Sequence, residues 1–147
     1  MIKILLIVMA LVAGSALPIQ GGINTKLGKT LTSPLHAALI SFLIGAAGLL
    51  VYCILTKQPV TWTGLRQLPI GYLAGGILGA IYVSIVIFVF PKLGPGLTFS
   101  LVVAGQMVVA LLLEHFNVLV AAPQPINLGR VFGVALVIAG VILMKQY

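Results

Sequence analysis

Acid is what this sequence most nearly lacks. Glu114 is the one acidic side chain against eight Lys and Arg, and charged residues make up 6% of the 147. A water-soluble domain carries about 25%. So few charges cannot clothe a folded surface, so most of this chain faces a solvent other than water. There is a single cysteine, Cys53. It excludes an internal disulfide and any multi-cysteine metal site, and its apolar surroundings read as those of a small buried hydrophobe. HExxH, P-loop, GxSxG and CxxC patterns are all missing. Enzyme chemistry therefore has no candidate constellation, and neither a catalytic residue, a metal nor a cofactor is expected. The net charge of +7 does not indicate nucleic acid either. A nucleic-acid surface needs clustered cations. Here they stand singly where apolar runs end, as interfacial anchors and topology signals do.

What is present is apolar sequence, 61% of the chain. The runs cover about 2–23, 34–55, 69–90, 94–114 and 128–145, with polar stretches at Thr56–Leu68 and Asn117–Asn127. At ~1.5 Å per residue each run spans a ~30 Å hydrocarbon core or nearly so. The pattern predicts an all-α integral membrane protein, a single domain of five transmembrane helices over residues 1–147. Lys3, the Ile4–Ala13 core and Gly14-Ser15-Ala16 also resemble a secretory signal peptide. The run stays apolar beyond that point, which favours a retained helix.

With five crossings, Lys3, Lys57, Arg66 and Arg130 fall on one side, and Lys26, Lys29, Lys92 and Lys145 on the other. Orientation follows the excess of cations on the cytoplasmic side, and here there is no excess. Dual topology, with copies inserted both ways, is the reading favoured over a single orientation set by an uncounted cation. Opposed copies can pair as an antiparallel homodimer, which mimics the inverted repeats of larger transporters.

Gly71, Gly75 and Gly79 recur at intervals of four, and Gly133 and Gly140 lie near one stripe of the last helix. Small residues let membrane helices approach closely, so these are candidate packing positions. Pro18 interrupts the first run and leaves the Gly14 carbonyl without its usual donor. Gln20 and Asn24 follow at i and i+4 on one face. Gln106 lies mid-run, and Asn117 shares its face if that helix continues. Amides in lipid need partners or water. Pro18, Gln20, Asn24 and Gln106 are therefore candidate lining residues of a polar, nearly uncharged cavity, with interhelical packing as the alternative. Glu114 is a candidate for proton or ion coupling. Its place at a run end, beside His115 and with Arg130 available, favours an interfacial ion pair instead. His36 likewise reads as interfacial.

Several pieces, in order, resemble the YdcZ-like inner-membrane exporters of the drug/metabolite transporter superfamily. They are Gln20-Gly-Gly-Ile-Asn24 with Leu27-Gly28, Ser41-Phe42 with Gly45, and Gly75 with Gly79-Ala80. Pro91-Lys92-Leu93-Gly94, Gly105-Gln106, Glu114-His115-Phe116 and the stripe Arg130, Gly133, Leu136, Gly140 follow. The resemblance implies a five-helix protein of the bacterial inner membrane. It also implies kinship with small multidrug transporters, which work as antiparallel dimers. The acid those transporters carry in their first helix has no counterpart here. The expected function is transport of a small solute by alternating access, with the lipid bilayer, the solute and a second copy as partners. A passive channel of the same architecture would show flux without saturation. A non-transporting subunit that docks another protein would co-purify with it.

Overall fold

The computed structural model describes residues 2–59, 64 and 68–146, and among these every regular element is helical. Helix α1 is Ile2–Thr30, α2 is Pro34–Leu55, α3 is Ala74–His115 and α4 is Leu128–Gln146. A 3₁₀ turn, Ile70–Leu73, precedes α3 and contains Gly71. Within the polar stretch Thr56–Leu68, residues 60–63 and 65–67, which include Trp62 and Arg66, lie outside the described residues. All four helices have the length and composition of membrane spans. The expected third and fourth runs both fall mainly within α3, which is two helices that meet at a kink, with Gly94 the non-helical residue between them.

The chain divides into two compact units, Met1–Lys92 and Leu93–Tyr147. In the first, α1 and α2 form a hairpin whose turn is defined by hydrogen bonds. The Thr32 amide donates to the Lys29 carbonyl at 3.3 Å and the Ser33 amide to the Gly28 carbonyl at 3.0 Å. With Thr32 at φ 53°, this is a Schellman ending. Ser33 then caps α2, its hydroxyl accepting from the His36 amide at 3.3 Å, and Pro34 fills the first helical position, where no amide donor is needed. Lys57 at φ 51° and Asn117 at φ 54° end α2 and α3 in the same way.

Helix α1 runs seven residues past the Ile23 end expected from hydropathy, because its polar end is buried on one side. Gly21, Asn24, Thr25 and Gly28 form that side, at spacings of three and four. A Cβ on Gly28 would lie 3.0 Å from Ile87 and 3.6 Å from Ala37. Ala37, Ala38, Val83 and Ile87 make the small core here, with Leu27, Leu31 and Tyr82 packed against it.

In the second unit the break at Gly94 has a local cause. Pro95 keeps the preceding residue out of the helical region, and only glycine adopts φ 77°, ψ 165° freely. The Thr98 hydroxyl donates to the Gly94 carbonyl at 2.6 Å and steadies the restart. Met144 of α4 comes against Gly96 and Ser100, and Val134 and Val141 are buried.

Most large apolar side chains point outward, Leu55 at 76% and Leu128 at 89% exposure among them. Such a surface is stable in hydrocarbon and not in water. Cys53 shares that exposure, which corrects its reading as a buried residue. It lies on the apolar outer face of α2, where lipid satisfies a thiol as well as a core would.

Candidate functional site

Gln20 and Asn24, one turn apart on α1, line the same cleft, of about 370 Å³. Ile19, Ile23 and Leu27 complete the α1 wall, and Ser41 and Ile44 come from α2. Every group lining it is apolar or neutral. Gln20 is exposed, whereas Asn24 is buried at 4% exposure and its Nδ2 donor has no hydrogen-bond partner. A buried donor left unpaired costs ~1–3 kcal/mol, which a polar partner would recover.

Pro18 is half-buried and is not among the lining residues, though it stands between Ala16 and Ile19, which are, and α1 remains helical through it. Gln106 is in the other unit, exposed on α3. Asn117 does not extend its face, because α3 ends at His115 and Asn117 occupies the left-handed cap.

Glu114 is ion-paired with Arg130. Arg130 also donates to the Gln124 carbonyl at 2.9 Å, and the Asn127 side chain caps α4 by accepting from the Arg130 amide at 2.9 Å. The Gln124 amide returns to the Glu114 carbonyl at 3.2 Å and the Ile126 amide to His115 Nδ1 at 3.3 Å. The one acid of the chain thus ties the α3–α4 loop to both helices it connects.

The glycines divide. Gly79 faces Phe42, whose ring an added Cβ would meet at 3.3 Å, while a Cβ on Gly71, Gly75, Gly133 or Gly140 would meet nothing within 4 Å. Two polar groups went unnoticed in the sequence. Thr25 Oγ1 and Tyr82 Oη are buried without partners. A lone hydroxyl in an apolar run is the only signal of such a group, and it is too common to single one out. Ser41 enters the sequence reading as part of the family resemblance, with no lining role assigned to it.

No curated protein and no solved structure matches the chain. A family model does, over residues 5–143, and its description is "Putative inner membrane exporter, YdcZ". That is a membrane-exporter family, not an enzyme family, and with the four apolar helices it places the protein in the inner membrane as a multi-pass protein. The chain belongs to the YdcZ family of inner-membrane exporters.

Proposed function

We propose that the protein is a carrier that moves a small solute across the inner membrane by alternating access, as a dual-topology antiparallel homodimer. The observation that carries the reading is Asn24, a buried amide with an unpaired donor among the residues of a mostly aliphatic, uncharged cleft. A concave, mostly apolar site with a few polar groups is the usual form of a small-molecule site. Gln20 and Ser41 add polar groups beside it. Pro18 lets α1 flex next to the cleft, since its ring removes one backbone hydrogen bond.

Five crossings follow if α3 crosses twice. At ~1.5 Å per residue its 42 residues make about 63 Å, twice the ~30 Å hydrocarbon thickness. The break at Gly94 divides it into limbs 74–93 and 95–115, each one membrane long. With five crossings the cations balance, which supports insertion both ways. The open faces at Gly71, Gly75, Gly133 and Gly140 are then available to a second copy. The Glu114–Arg130 pair is structural in this reading and leaves no acid for ion coupling.

Counterflow tests it. Vesicles holding the purified protein are preloaded from a panel of neutral, cationic and anionic solutes that do not cross protein-free vesicles. A carrier accumulates labelled solute transiently and saturably, and Asn24→Leu abolishes the overshoot. Flux that neither saturates nor overshoots would make the protein a channel. An overshoot unchanged in Asn24→Leu would remove the cleft from the path.

A further inference from the structure

We infer that the solute bound in the α1–α2 cleft is uncharged, with an apolar body and at least one neutral hydrogen-bonding group. This rests on the cleft being the carrier's binding site.

The first ground is the lining. Asn24, Gln20 and Ser41 are its polar members, the rest are aliphatic, and none carries a charge. The second is the unpaired group itself. The Asn24 amide offers both a donor and an acceptor, so the complementary ligand atom is a neutral hydrogen-bonding group such as a carbonyl, hydroxyl or amide.

The third ground is where the charges are. A cation drawn out of water into a low-dielectric cleft needs a counter-charge, without which its desolvation is prohibitive. The chain has one acid, Glu114, and Arg130 already holds it. A second copy brings only the same acid, engaged in the same way. An anion is no better served. Lys26, the cation nearest Asn24 in sequence, is about 200° around α1 from it and exposed. A neutral solute escapes the desolvation penalty and still satisfies the amide, while the isoleucines at 19, 23 and 44 cover its apolar part.

The test uses the full chain with Cys53→Ala and a reporter, Ala16→Cys, at an exposed position lining the cleft. The rate of maleimide labelling is measured in detergent with benzamide, benzyltrimethylammonium or benzoate present, three probes that share a ring and differ in charge. Benzamide should slow labelling, and the two ions should leave it unchanged. Asn24→Ala should weaken benzamide protection about fivefold, the effect of one hydrogen bond. Asn24→Asp should transfer protection to the ammonium probe. Should that variant fail to fold, Gln20→Glu, exposed in the same cleft, makes the same switch. Protection by the ammonium or the carboxylate in the parent protein would overturn the neutral class and leave the cleft as a binding site. Protection by none of the three, or a reporter that never labels, would overturn the cleft as a site and this inference with it.

Discussion

Replacing Gly28 with alanine probes a close approach in the first unit. The added methyl would lie 3.0 Å from Ile87 Cγ2, 3.6 Å from Ala37 Cβ and 3.7 Å from Pro34 Cα. Carbon atoms attract best at ~3.5–4.0 Å, so the last two contacts are ordinary and the first is too short by about 0.5 Å or more. Ile87 is 3% exposed and has little room to retreat. Overpacking of this kind costs ~1–3 kcal/mol. Alanine also stabilises a helix by ~1 kcal/mol relative to glycine, which would hide part of the loss. Gly45→Ala, in α2 with nothing within 4 Å of the new methyl, carries that propensity gain alone. The difference between the two variants therefore isolates the contact, at ~1–3 kcal/mol against Gly28→Ala. Reversible unfolding by SDS from mild-detergent micelles, followed by circular dichroism, measures it. Equal stabilities of Gly28→Ala and Gly45→Ala would refute the close approach of α1 to the segment around Ile87.

Other expectations concern caps, the buried amide and the loop. Thr32→Gly should stabilise the protein by ~0.5–1 kcal/mol in the same assay, since threonine at φ 53° is strained by ~1–2 kcal/mol and glycine loses more entropy on folding. A loss of stability would show that the turn is not the left-handed cap described. Asn24→Leu should keep or raise stability by ~1 kcal/mol, because it removes a buried unpaired donor, while abolishing solute binding. A marked loss of stability with binding retained would make Asn24 a packing residue. The Glu114–Arg130 pair is about a quarter to a third exposed, so a double-mutant cycle of Glu114→Gln and Arg130→Gln should give a coupling of only ~0.2–1 kcal/mol. Each single variant should nevertheless speed proteolysis within residues 116–127. Unchanged cleavage would mean that the pair does not hold the loop.

The helix ends show which features of the sequence were readable. Helix α2 came out as Pro34–Leu55 from hydropathy, because Ser33-Pro34 is a strong start signal and lysine follows close behind its end. The end of α1 was set too early. Asn24, Thr25 and Lys26 look like an exit from the membrane in one dimension, and only the approach of Ile87 and Ala37 to Gly28 shows why the helix goes on. A break between the third and fourth runs was legible, but it was set at Pro91-Lys92, where the chain stays helical, and the single non-helical residue is Gly94. The glycine pattern exposed the limit of motif reading. Gly79 contacts Phe42 while Gly75, one turn earlier, contacts nothing, and both satisfy the same spacing. In the candidate cleft, the i, i+4 placement puts Gln20 and Asn24 on one face of α1, whereas Ser41 reaches the cleft through the hairpin geometry, which no local pattern encodes.

The antiparallel, dual-topology dimer is the central claim, and the sidedness of the C-terminus tests it most directly. A cysteine appended after Tyr147 in the Cys53→Ala background is labelled from outside intact cells with a membrane-impermeant maleimide; Cys53 must go because it is exposed. Balanced cations predict that about half of the copies label. If all label, or none do, one orientation prevails and the antiparallel homodimer is wrong.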